Sequence, residues 1–124
     1  MTITEAITRL DALKFNTFTR AEKIDWLSAA DWRIYREVLQ PCLGEAVAPF
    51  SGYDENTDPE TRLLAPPPFE ELYLRWMEAQ IDYHNGEYHR YNNAITLYNR
   101  LFSAFQSLFL QEHKPPAPGP RFRF

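Results

Sequence analysis

One cysteine, Cys42, stands in 124 residues. A single thiol excludes an intramolecular disulfide, a CxxC redox pair and a cysteine-rich zinc site. Glycine is nearly as scarce, with four residues, and no glycine-rich phosphate loop occurs. HExxH is absent, no Glu has a His three residues on, and no serine sits in a nucleophile motif. A basic excess is missing too. The formal net charge is −4, so steering of the whole chain toward nucleic acid is not expected. No apolar run approaches the roughly 18–20 residues of a membrane span. The opening MTITEAITRLDALK lacks the basic start and apolar run of a secretory signal. These absences predict a soluble chain retained in the cytosol, without metal, cofactor or catalytic constellation.

What is present is apolar and aromatic material, at 44% and 15% of residues, and ten prolines. The length suits one domain. TITEAITRLDALK predicts a helix over about 3–13, with Ile3, Ile7 and Leu10 on one face. Thr2 or Thr4 would cap it, with Glu5 near its positive end. Thr19 and Glu22 have capping-box spacing and open a second helix over about 20–39. Its apolar face is Ile24, Leu27, Ile34 and Val38, interrupted by Asp31. Pro41 is expected to end it.

Residues 40–68 form a proline-rich acidic loop with six prolines, and Glu45, Asp54, Glu55, Asp58 and Glu60 against Arg62. So long a connection is unusual in a compact domain. Val47, Phe50, Tyr53, Leu63 and Leu64 argue that it packs, and a short strand or hairpin could lie inside it. From 69 to 113 there is no proline, and Met77, Ile81, His84, Tyr88, Tyr91, Ile95, Tyr98, Phe102, Phe105 and Phe109 alternate at spacings of four and three. This heptad-like seam keeps its phase across Gly86. It predicts one long helix over about 69–113, with a kink admitted at Asn85-Gly86. The alternative is a two-helix hairpin, because Asn-Gly is a turn signal. The tail KPPAPGPRFRF, residues 114–124, reads as an extended arm of charge +3. The expected fold class is all-α: a small helical bundle over 1–113 plus this arm.

A straight helix of that length would measure about 66 Å, beyond the ~35–40 Å width of a compact body of this size. It would need partners, or a bend or break. Eleven of the seventeen positions from Ala94 to Leu110 are apolar, wider than a surface helix needs. That surplus predicts contact with another subunit. Candidate interface residues are His84, Tyr88, Tyr91, Asn92, Tyr98, Leu101, Phe102, Phe105 and Phe109. Loop and tail candidates are Tyr53, Asp54, Asp58, Arg121, Phe122, Arg123 and Phe124, where acidic loop and basic arm could meet between neighbours.

The polar residues admit little chemistry. His84 and His89 are five apart and cannot bind one metal from one helix face. Glu78 and Asp82 pair at i, i+4 without further ligands. Asp54, Asn56 and Asp58 start like a calcium loop, but Pro59 and Ala65 stand where Gly and Glu are required. Cys42 lacks the electropositive neighbours of a reactive thiol. Asn92, Asn93 and Asn99 could fix register at a buried seam or simply lie on the surface.

The segment YDENTDPETRLLAPPPFEELYLRWMEAQIDYHNGEYHRYNNAITLYN, residues 53–99, resembles small head–tail connector (adaptor) proteins of tailed bacteriophages and prophages of Firmicutes. The opening ITEAITRLDALKFNTFTRAEKIDWLSAADWRIYREVL is similar to theirs as well, and the likeness spans roughly residues 1–113. The resemblance implies a non-enzymatic, all-α subunit of a homo-oligomeric ring, usually of twelve copies, in the virion neck. Such a ring is assembled in the bacterial cytoplasm and docks under the portal protein. It extends the channel for double-stranded DNA and offers a platform to the next neck or stopper protein. An acidic channel wall would let DNA slide past without specific binding. The alternative reading is a non-viral helical module whose long loop captures a peptide or protein.

Overall fold

Thr2 opens the first helix with its side chain. Its Oγ1 accepts the Glu5 N–H at 3.1 Å, and the Glu5 carboxylate accepts the Thr2 N–H at 3.0 Å. This reciprocal pair satisfies two otherwise orphaned donors and starts α1 (Ile3–Leu13). Thr19 and Glu22 repeat the device at the start of α2 (Arg20–Ile34). The fold is that of a computed structural model, and the described residues are 1–113.

Pro41 does not end the second helix where the sequence predicts. After α2 the backbone widens into a π-turn over Tyr35–Leu39, and a last turn, α3 (Gln40–Leu43), follows. A proline lacks its own N–H and crowds the carbonyl four residues back, here that of Glu37. The wide turn accommodates it. Gln40 N–H reaches back five residues to Tyr35 O. The Glu37 carbonyl instead accepts the Gln106 side-chain amide at 3.2 Å.

The single long helix over 69–113 is also corrected. The chain forms α4 (Glu71–His84) and α5 (Tyr88–Glu112), which fold back on each other as an antiparallel hairpin. Gly86 adopts φ +72°, a conformation that costs a residue with a Cβ. Gly86 N–H bonds to Tyr83 O at 3.1 Å, and Glu87 N–H bonds to Asp82 O at 2.8 Å. These two bonds make a Schellman cap and stop the helix at Asn-Gly. Phase continuity misled because both halves of the hairpin aim their stripe at one core. Met77 and Ile81 meet it from α4, and Tyr98, Phe102 and Phe105 from α5. Gly86→Ala is expected to cost about 1 kcal/mol. A Cβ there meets nothing within 4 Å, so thermal unfolding would read backbone strain alone.

The core runs through Ile3, Ile7 and Leu10 of α1 and Ile24, Leu27 and Ile34 of α2, with Val38 of the π-turn beside them. Leu72, Tyr73, Met77 and Ile81 of α4 close it. Between Val47 and Glu70 the chain is a strap laid over the N-terminus. Ile3 N–H bonds to Thr61 O at 3.1 Å, and Leu63 N–H to Met1 O at 2.9 Å. A lone antiparallel bridge pairs Thr2 with Arg62. No strand forms among the described residues. The Met1 ammonium pairs with Glu70 just before α4.

Candidate interaction surfaces and a buried polar hub

The interface residues expected from the sequence divide between core and surface. Tyr98, Phe102 and Phe105 are core residues at 1–2% exposure. They face α4 and the π-turn rather than a neighbour, which corrects their assignment. Trp76 meets Tyr98 at 5.1 Å, and Phe69 meets Phe105 at 5.4 Å between ring centroids. The Arg33 guanidinium lies 3.9 Å from the Phe102 ring centre and donates to Tyr98 Oη at 3.3 Å. Leu101 and Phe109 are half-buried against the same core. Much of the apolar surplus of α5 is therefore consumed inside the chain. What remains outside is Leu97, Leu108 and Leu110, with the small Ala104.

His84 and Tyr88 lie on the surface at the hairpin tip, with Tyr91 half-buried beside them. Asn92, Asn93 and Asn99 are all exposed. They occupy no buried seam within the chain.

Among the loop candidates, Asp54 and Asp58 are exposed and shape turns. Asp54 Oδ1 accepts the Asn56 N–H at 2.8 Å, and Asp58 Oδ1 accepts the Glu60 N–H at 2.9 Å. Such side-chain turns are the ordinary work of Asp. Tyr53 is not an outward contact but is buried. Arg121, Phe122, Arg123 and Phe124 lie outside the described residues.

Tyr53 ends on Asp31, the acid that interrupts the apolar stripe of α2. Asp31 is fully buried. Its Oδ2 accepts the Tyr53 hydroxyl at 2.5 Å and the Leu64 N–H at 3.1 Å, and its Oδ1 accepts the Tyr73 hydroxyl at 2.5 Å. Tyr73 Oη in turn accepts the Ala65 N–H at 2.7 Å. One carboxylate thus ties α2, α4 and two points of the strap together. Burial pushes the Asp31 carboxyl up to about 6, against the opposing pull of the Tyr53, Tyr73 and Leu64 hydrogen bonds. Burial, then the neighbouring Asp31 charge, drives both tyrosines above the usual phenol range. Both therefore stay protonated and donate. Asp31 was visible in the sequence as a lone acid on an apolar face. Its partners were not, since they lie 22 to 42 residues away.

Gly52 lets the strap approach α2. Its φ is +84°, and a Cβ would fall 2.9 Å from both Ser28 Oγ and Trp32 Nε1. Ser28 Oγ also accepts the Tyr53 N–H at 3.0 Å. Gly52→Ala is expected to cost about 2 kcal/mol from strain and crowding together. Urea unfolding of the purified variant measures it.

A second ion pair closes the other end. Lys14, just after α1, reaches Asp82 Oδ1 at 2.6 Å, and Asp82 is 2% exposed. The contact is a close charge pair without the angles of a directed hydrogen bond. It borders an open cleft of ≈ 250 Å³ between α4 and α5, also lined by Glu78, Arg90, Asn93 and Leu97. Among the described residues, no three His, Cys, Asp or Glu side chains gather as a metal would need. No helix there is long and apolar enough to cross a membrane.

Fold and site together define a small all-α protein, a helical hairpin braced by two N-terminal helices and a locked strap. Comparison with known protein families, with characterised proteins and with solved structures finds no match to this chain.

Proposed function

We propose that the chain is a structural subunit of a tailed-phage neck, a head–tail connector that assembles as a homo-oligomeric ring beneath the portal. The observation that supports this reading is the build of residues 53–99, which carry the resemblance. They make one continuous unit: the strap anchored on Asp31, then α4, the Gly86 turn and the first half of α5. The outer surface of that unit carries aromatic and aliphatic side chains, Tyr83, Tyr88 and Leu97, suited to contact with neighbouring subunits. The strap turns Asp54, Glu55, Asp58 and Glu60 outward, a rigid acidic surface that repels a DNA backbone. A peptide-capturing loop is the weaker reading, because Tyr53, Leu63 and Ala65 of the strap are buried against its own helices. Mixing the purified chain with the portal protein of its own phage, followed by negative-stain microscopy, tests the proposal. Closed rings seated on portal are expected. A chain that never joins portal, alone or during co-expression, overturns it.

A further inference from the structure

The hairpin tip carries an aromatic strip whose central rings, Tyr83, His84 and Tyr88, are exposed. Tyr83 is 56% and Tyr88 60% exposed, with ring centroids 6.0 Å apart. Tyr91 lies 5.5 Å from Tyr83 on one side, and His84 lies 6.0 Å from it on the other. Through His84 the strip continues to Phe18 at 5.6 Å and Trp26 at 6.2 Å, both half-buried against the core. It therefore crosses from α5 over the tip to α2. These rings meet edge-on or tilted and present hydroxyl edges, an aromatic lining of the kind that binds polyproline segments. Glu22 and Glu87 stand exposed beside it.

The chain itself contains a segment of matching chemistry. Residues 115–120 read PPAPGP, with the PxxP spacing in Pro115 and Pro118, and Lys114, Arg121 and Arg123 flank them. Proline-rich sequences with this spacing are the ligands that aromatic-lined grooves recognise. Arginine adds stacking on tyrosine and pairing with carboxylates.

Length decides which copy supplies the segment. α5 runs 25 residues from the tip, about 37 Å at 1.5 Å per residue. From His113, even a fully extended chain brings Pro120 no farther than about 25 Å, at 3.6 Å per residue. The proline segment of a chain cannot reach its own tip.

We propose that the aromatic strip at the hairpin tip receives the proline-rich tail of a second copy of this chain. The contact is heterologous, tail to tip, so its repetition builds a ring where the rotation closes and a filament where it does not. It stands on the strip, the tail chemistry and the distance, and does not depend on the virion reading.

Two variants of the full chain test it by sedimentation velocity. Tyr83→Ser with Tyr88→Ser removes the tip and alters only exposed side chains. Pro115→Ser with Pro116→Ser, Pro118→Ser and Arg121→Ser removes the tail ligand. Wild type should self-associate with rising concentration, and each variant alone should associate about tenfold more weakly or less. An equimolar mixture should form a 1:1 dimer and nothing larger, because each pair holds one intact tail and one intact tip. A mixture that stays monomeric overturns the proposal. So does either variant assembling like wild type, which would assign association to another face, or a wild type monomeric at its solubility limit. Circular dichroism of each variant confirms that the helices remain.

Discussion

Truncating Phe102 to alanine is expected to lower folding stability by about 3–5 kcal/mol, the range for deleting a buried phenylalanine. The ring is 2% exposed. It fills the space between α5 and the end of α2, with Tyr98 at 6.0 Å and the Arg33 guanidinium over its face at 3.9 Å. Its removal leaves a void that α5 can close only by shifting, and it deprives Arg33 of a partner for its flat face. Urea unfolding should give a lower midpoint with an unchanged slope. The experiment separates two roles the sequence could not. A subunit contact would weaken assembly and leave the monomer as stable as before. A loss below about 1 kcal/mol, the size of an ordinary surface change, would contradict the core placement.

Asp31→Ala is expected to cost about 3 kcal/mol near neutral pH. The substitution strands three donors, Tyr53 Oη, Tyr73 Oη and the Leu64 N–H, at about 1–3 kcal/mol each when buried and unpaired. Relief from burying the charge offsets part of that. The carboxyl's net rise from 3.8 to about 6 shows that the burial cost exceeds the pull of those hydrogen bonds. The same shift has a sign. The folded chain holds the Asp31 proton more tightly than the unfolded chain does. The contribution of this group is therefore greatest below pH 3.8 and is lost as pH rises through about 6. Glu5, Asp11 and Glu22 shift the other way, and their contribution is lost on acidification through their lowered values. Comparing wild type with Asp31→Asn cancels those carboxylates. Between pH 7 and pH 5 the wild type should gain stability relative to Asp31→Asn. A difference that stays flat across this range would mean that Asp31 titrates as an ordinary exposed acid.

Local signals in the sequence gave reliable helix starts. Thr19 with Glu22 placed the first turn of α2, because a capping box is complete within four residues; for α1 the cap lay open between Thr2 and Thr4, and Thr2 takes it. Stripe residues such as Leu27 and Met77 fell in the core for the same reason. Stops were harder to read. Pro41 is usually a terminator, yet a π-turn behind it and Gln106 from another helix let the chain continue. Neither feature is written near residue 41. Gly86 is the converse case, a local stop outweighed in the reading by a periodicity that a hairpin preserves as well as a rod does. That error moved Tyr98, Phe102 and Phe105 from core to interface. The fold-back supplies the second helix that covers them, and periodicity counts stripes without saying who covers them. The hub was half legible. Asp31 stood out as an acid in an apolar stripe, but nothing local to Tyr53 or Tyr73 points to it.

The hub also sets how the molecule opens. Leu64 N–H ends directly on the carboxylate of Asp31, and Ala65 N–H ends on the Tyr73 hydroxyl bound to the same carboxylate. Both amides lose their acceptor only when that cluster parts. In native-state hydrogen exchange the two should therefore leave as a single cooperative unit, with one shared opening free energy. The amide of Asn56, held only by the exposed Asp54 side chain, should exchange far earlier. A segment that reads in the sequence as a loose acidic connection would then carry two populations of amide protons within ten residues, one at its rim and one held by a charge in the core.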